Sequence, residues 1–199
     1  MGDPSAWRQR LTKLSSEPQA PPWNLAELDG LIDPKALRPA AVLLGLVPRS
    51  EGWQVLLTLR TEHLASHAGQ VSFPGGRVEA DEDVVAAALR ETSEEVGIGP
   101  ELITPLGFLE RFATISNFAI TPVVALLDPT IQPRAHLGEV AAVFEAPLCL
   151  FRDLSRRTVE ARMIRGKLRS TYVFEHQGQR IWGATAAILV NFIERVETV

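Results

Sequence analysis

From Ala40 onward the chain alternates apolar runs with turn residues. AAVLLGLV (Ala40–Val47) is continuously apolar, is stopped by Pro48, and reads as a buried strand. Ser50-Glu51-Gly52 reads as a turn, and WQVLLTLR (Trp53–Arg60) as the next strand. GQVSFPGG (Gly69–Gly76) is a short strand running into a Gly-Gly turn. The clearest helical period lies in DEDVVAAALRETSEEV (Asp81–Val96). Asp81 is the expected N-cap, the acids crowding the first turn suit the helix dipole, and Gly97, Gly99 and Pro100 end the helix.

Beyond that helix, LGFLERFAT and FAITPVVALL predict two strands around Ser116-Asn117. EVAAVFEA (Glu139–Ala146) reads as a short helix. Lys167–Gly183 reads as a hairpin with Gly178 in its turn, and Ala184–Val196 as a final amphipathic helix. Before Pro39 the texture is different. Prolines 18, 21, 22 and 34 punctuate it, and beyond a short helix around Ala6–Leu14 residues 1–38 read as a peripheral segment. The irregular alternation of strands and helices predicts an α/β (α+β) fold, with one domain over 39–199.

Composition narrows the function. The chain has 199 residues with 46% hydrophobic and 22% charged, enough for a sizeable core and unlike a disordered chain. No apolar run reaches the ~18–20 residues of a membrane helix, so no membrane partner is expected. MGDPSAWRQR has no apolar stretch after its charges, and the last residues, Glu197-Thr198-Val199, are not a peroxisomal tripeptide, so the expected location is cytoplasmic. A single cysteine, Cys149, excludes an intrachain disulfide and a cysteine metal cage, and its apolar run APLCLF marks it as a buried, inert thiol. The net charge of −4 and the lack of a polybasic stretch argue against nucleic acid as a partner. An anionic small molecule would need local arginines or metal ions to hold it.

On a helical wheel with Glu82 at zero, Val85, Ala88, Leu89, Thr92 and Val96 fall between about 240° and 340° and form the expected core face. Glu94, Glu91 and Glu95 fall at about 120°, 180° and 220°. Three carboxylates at spacings of three and four repel by a few tenths of a kcal/mol per pair. Arg90 is the only basic residue among them, so an external cation is expected to offset the rest. Clustered carboxylates are hard ligands suited to Mg²⁺ or Mn²⁺, and small Ala87, at about 140°, would leave room for ions. On the helix alone, a solvated acidic face stands beside this reading.

The wider spacing is more specific. Gly76, five residues, Glu82, seven residues, Arg90-Glu91-Thr92-Ser93-Glu94-Glu95 and Val96-Gly97-Ile98 together resemble the signature of the Nudix hydrolase superfamily. Thr92 stands where that signature has an aliphatic residue, and its methyl can pack in the core. The resemblance implies a mixed β-sheet sandwiched between α-helices, with a loop-helix-loop that binds divalent ions and hydrolyses a nucleoside diphosphate linked to another moiety. It assigns Glu91, Glu94 and Glu95 as metal ligands, one of which could instead be the base. It gives the Gly76 region a carbonyl ligand, Arg90 an orienting role among the carboxylates, and Glu82 a supporting role toward a ligand, water or substrate.

Just upstream, LLTLRTEHLASHAGQVSFPGG (Leu56–Gly76) resembles the motif of the coenzyme A diphosphatase branch, with Ser66 where a basic residue is expected. Leu106–Val124, Glu139–Leu148 and Ile181–Leu189 are similar to that branch as well. The resemblance implies cleavage of coenzyme A or its derivatives to 3′,5′-ADP and 4′-phosphopantetheine. Hydrolysis of ADP-ribose or a dinucleotide, and a non-catalytic nucleotide-sensing module, stand as alternatives. Glu139 matches a carboxylate that reaches such sites as fourth ligand or general base, although an acid opening a helix explains it too. Arg60 is a candidate for a substrate phosphate and Gln70 for adenine or pantetheine amides. Glu110, His63 and His67 are weaker candidates. The basic run Arg152–Arg169 could meet a 3′-phosphate or a second subunit of a homodimer, but reads mostly as a solvated loop. Trp53 and Trp182 are expected to pack the core.

Overall fold

A computed structural model describes residues 2–15, 17–63 and 68–197. Along the chain come α1 (Pro4–Arg10), β1 (Arg38–Arg49), β2 (Gly52–Arg60), β3 (Val71–Ser72), β4 (Gly75–Arg77) and α2 (Val84–Val96). There follow β5 (Ile103–Phe108), β6 (Phe112–Ala113), β7 (Phe118–Leu127), β8 (Val140–Pro147) and α3 (Leu148–Arg152). The chain closes with β9 (Thr158–Ile164), β10 (Lys167–His176), β11 (Gln179–Trp182) and α4 (Gly183–Glu197).

β1 is the axis of the main sheet. One edge pairs in parallel with β7, from Arg38 opposite Phe118 to Leu46 opposite Leu126. Its other edge starts as a tight hairpin with β2, from Arg49 opposite Gly52 to Leu46 opposite Val55. There the two strands part. β3 then pairs with β2 and β4 pairs with β1, so residues 71–77 wedge the sheet open. β8 lies on the far edge of β2, while β5 and β6 lie on the far edge of β7. The sheet is therefore mixed, as expected from the sequence.

Alternation along β1 builds two cores. Ala41 and Leu43 pack with Ala87, Ala88 and Val96 of α2 on one face. Leu44 and Leu46 pack with Trp7 of α1 and with Leu189 and Phe192 of α4 on the other. Helices thus cover both faces, and each fully buried leucine contributes about 1.5–3 kcal/mol. The N-terminal segment joins this core through Trp7 and Leu11. Trp7 is 3% exposed and meets Trp53 and Phe192 edge to face. No helix among the described residues is long and apolar enough to cross a membrane.

Several sequence expectations are corrected. Glu139–Ala146 is not a helix: Glu139 sits in a turn and Val140–Pro147 is a strand paired with β2 from Gln54 to Arg60. Its alanines read as helical, but pairing with a waiting strand edge overrides that local preference. The basic stretch near 158–169 is strand rather than loop, because Arg165 and Gly166, with φ of +47° and +80°, turn β9 into β10. Cys149 is exposed, since α3 turns Leu148, Leu150 and Phe151 inward and leaves it outside. Trp53 packs against the core, as expected, and donates its indole N–H to the Gly2 carbonyl at 3.0 Å, whereas Trp182 lies half-buried outside it, beneath Arg162. Glu110 lies in the loop between β5 and β6, not within one strand, and pairs with Arg195.

The start of α2 also moves. Its N-cap is Asp83, whose Oδ1 accepts from the Ala86 amide at 2.8 Å, not Asp81. Asp83→Ala should therefore cost about 1 kcal/mol of unfolding free energy while Asp81→Ala stays near neutral, as read by urea denaturation.

Candidate active site

α2 is rolled relative to the simple wheel. Its buried residues are Val84, Ala87, Ala88, Thr92, Glu95 and Val96, an arc centred on Glu95. Ala87 is therefore core rather than space for ions. Thr92 is fully buried, and its hydroxyl donates to the Ala88 carbonyl one turn back at 2.6 Å. Glu95, only 5% exposed, projects under the wedge of the sheet and accepts a hydrogen bond from the Gly75 amide at 3.1 Å. Gly75 has φ of +154°, and a Cβ there would lie 2.4 Å from the Ala41 carbonyl, so only glycine presents this amide. A Cβ on Gly76 would fall 2.3 Å from Glu91 Oε1, so its bareness lets that carboxylate lie against the backbone.

Arg90 is an internal cation among the acids. It donates to Glu82 from Nε at 3.1 Å and from Nη2 at 2.7 Å. Its Nη1 reaches Glu91 at 3.0 Å and Glu94 at 3.2 Å, and Nη2 also donates to the Arg77 carbonyl at 3.1 Å. Part of the repulsion expected to need an external ion is therefore offset within the chain. Glu82 also accepts from the Glu79 amide. Its bonds to Arg90 hold its carboxyl below the ordinary carboxylate range, and the same bonds raise the Arg90 guanidinium further.

Backbone ties gather the remaining candidates. The His136 amide donates to the Glu95 carbonyl at 2.9 Å and the Arg134 amide to the Val96 carbonyl at 2.8 Å, closing the end of α2. Glu139 follows at once, and its carbonyl accepts from the Thr61 amide at 2.9 Å. The Arg60 amide bonds to the Gln70 carbonyl, and Arg60 Nη1 stands 3.7 Å from Glu95 Oε1. The Arg60 Nε is buried and has no hydrogen-bond partner. The structure thus brings Glu91, Glu94, Glu95, Glu139, Arg60, Arg90 and Gly76 to one mouth of the sheet. His63 is exposed, while Ser66 and His67 lie outside the described residues.

The acids differ in environment. Burial pushes the Glu95 carboxyl up to about 7, against the Gly75 amide and Arg60, with the charges of Glu91 and Glu139 pushing the same way as burial. Burial also raises Glu91, opposed by Arg90. Glu94 is mostly exposed. Among the described residues no group of three or more His, Cys, Asp and Glu gathers closely enough to hold an ion in this arrangement. The donor chemistry nonetheless fits a hard dication, with three carboxylates on one turn of helix and bare Gly76 beside Glu91. Sequence reasoning missed the Gly75 amide and the burial of Glu95. Val84, Ala87 and Ala88 flank Glu95 on the wheel, and that widened small or apolar arc was the available signal.

Residues 36–162 match the family model described as NUDIX domain. The chain is 42% identical over 153 residues to "Uncharacterized Nudix hydrolase NudL" of Enterobacter sp. (strain 638), spanning 76% of this chain and 79% of that one. It is similar in fold to a Nudix hydrolase from M. smegmatis, RenU, with a TM-score of 0.50, 24% identity, and 57% and 72% of the two chains covered. It is also similar to a MutT/nudix family protein from Enterococcus faecalis, with a TM-score of 0.52, 19% identity, and 80% and 62% covered.

The raised carboxyl of Glu95 sets a pH dependence. The folded chain holds that proton more tightly than the unfolded chain, whose glutamate titrates near 4.5, so stability falls as pH rises from there to about 7. With divalent ions chelated, Glu95→Gln should remove that slope. It should exceed wild type by on the order of 2 kcal/mol near pH 8 and match it near pH 4, measured by thermal and urea unfolding.

Proposed function

The chain belongs to the NUDIX family and is a hydrolase of diphosphate bonds, and on that premise we propose that its substrate is coenzyme A or a coenzyme A derivative. Cleavage of the diphosphate gives 3′,5′-ADP and 4′-phosphopantetheine. The observation that carries this reading is the stretch Leu56–Gly76. It resembles the coenzyme A branch in sequence, and its Arg60 stands 3.7 Å from the buried Glu95.

Glu91, Glu94 and Glu95, with the Gly76 carbonyl, would hold Mg²⁺ or Mn²⁺, as Nudix hydrolases generally use divalent ions. The ion, when bound, neutralises charge on the diphosphate oxygens and lowers the pKa of water. Arg90 keeps Glu82, Glu91 and Glu94 oriented through its guanidinium. Glu139 or Glu91 takes the proton from the attacking water. Burial, with the charges of Glu94 and Glu139, raises the Glu91 carboxyl against the opposing pull of Arg90, which suits a proton acceptor. The unsatisfied Nε of Arg60 is a donor that a substrate phosphate would complete, and its planar fork suits that role. Gln70 and Glu82 complete the proposed substrate-facing set.

Mass analysis of products from coenzyme A with Mg²⁺ in ¹⁸O water should show 3′,5′-ADP and 4′-phosphopantetheine, one of them carrying the label. Glu94→Gln and Glu95→Gln should fold and lose at least ~100-fold in kcat/KM, more than the ~10–100-fold typical of an outer-shell partner. Wild-type turnover in both variants would remove the metal-site assignment. Faster cleavage of ADP-ribose or a dinucleotide than of coenzyme A, assayed side by side, would overturn the substrate and leave the chemistry.

A further inference from the structure

The three-stranded sheet ends in an open edge. Its order is β11-β10-β9, and β9 pairs with β10 alone among the described strands. β9 has no proline, lysine or register shift, the usual devices that blunt a free edge. One row of its side chains, Glu160 and Arg162, shares a face with Arg180 and Trp182. The other row is Val159, Ala161 and Met163, with Leu168 across the ladder from Met163. Val159, Met163 and Leu168 are 57%, 68% and 68% exposed. The tip of the ribbon is tied to residues 27–31 through Arg165, Lys167 and Arg169, while its other side carries an apolar stripe into solvent.

The register of β9 fixes where its backbone groups point. Arg165 and Gly166 both have positive φ, so Ile164 and Lys167 close a two-residue turn and exchange both of their hydrogen bonds. Alternation then directs the N–H and C=O of Met163, Ala161 and Val159 away from β10, to the open side.

We propose that this edge pairs with the same edge of a second copy, antiparallel about a two-fold axis through Ala161, joining two three-stranded sheets into one. Ala161 then faces the partner subunit's Ala161, and Val159 faces the partner subunit's Met163. These are the residues with outward backbone groups, so their ladder closes fully. Glu160 faces the partner subunit's Arg162 in the close, non-hydrogen-bonded position, once on each side of the axis. Charge selects this register. Sliding by two residues in either direction sets Glu160 against the partner subunit's Glu160, or Arg162 against the partner subunit's Arg162, and like charges directly opposite destabilise. Sliding by one residue sets outward groups against inward ones. The apolar stripes of both copies meet on one face of the joined sheet.

Light scattering of the full chain should give twice its 21.8 kDa mass. Ala161→Pro removes only an outward N–H, and Met163→Lys places charge on the stripe. Each should raise the dimer midpoint concentration at least ~10-fold, about 1.4 kcal/mol, with an unchanged circular dichroism spectrum. If Ala161→Pro fails to fold, Met163→Lys carries the test. In a Cys149→Ser background, a mixture of Glu160→Cys and Arg162→Cys chains should cross-link faster than either alone, because only the mixed pair brings opposed Cα atoms within disulfide range. A wild-type monomer at all concentrations, dimers that persist in both variants, or equal cross-linking in the mixed and single samples would each overturn the proposal.

Discussion

The site depends on one contact, the hydrogen bond from the Gly75 amide to Glu95. It ties the last turn of α2 to the strand that wedges the main sheet apart. Glu95 is held where solvent barely reaches, and that position leaves its carboxyl poised near neutrality. A buried carboxylate is costly unless paired. Here the partners are one backbone amide and one arginine at longer range, a shortfall that leaves room for a cation. The glycines serve the same contact: Gly75 presents its amide at a φ other residues avoid, and Gly76 clears space for Glu91.

Charge at the mouth is layered. Arg90 gathers Glu82, Glu91 and Glu94 on the outer side of the helix, while Arg60 approaches Glu95 from the opposite strand. Five carboxylates, counting Glu139, face two guanidinium groups, so negative charge remains in excess. In a chain of net charge −4, that excess disfavours a polyanion at this mouth unless positive charge is added.

Much of this was legible in the sequence because it is local. The strands β1, β2 and β7, the helix α2 and the closing hairpin and helix follow from runs and periods within short windows. The spacing from Gly76 to Ile98 exposed the acidic helix without reference to the rest of the chain. What stayed hidden is non-local. Val140–Pro147 became a strand because β2 had an edge to offer. The roll of α2 followed from the depth at which Val84 and Ala87 pack against β1, which turned Glu95 from a rim acid into a buried one. Cys149 faces outward because a single helical turn spends its inward positions on its neighbours.

The wedge between β1 and β2 has a consequence for how such a chain can diversify. Leu59 and Val71 are direct partners, so the peptide joining them begins and ends at one rung of the ladder. Residues inserted or deleted there change no register, and the cost of lengthening a loop rises only slowly. Within β3, β4 and α2 there is no such freedom, because a single added residue would turn the side chains to the wrong face. On the proposed assignment of Arg60 and Gln70 to substrate and of the α2 acids to hydrolysis, ligand preference can drift in the first interval over evolutionary time while the second stays in frame.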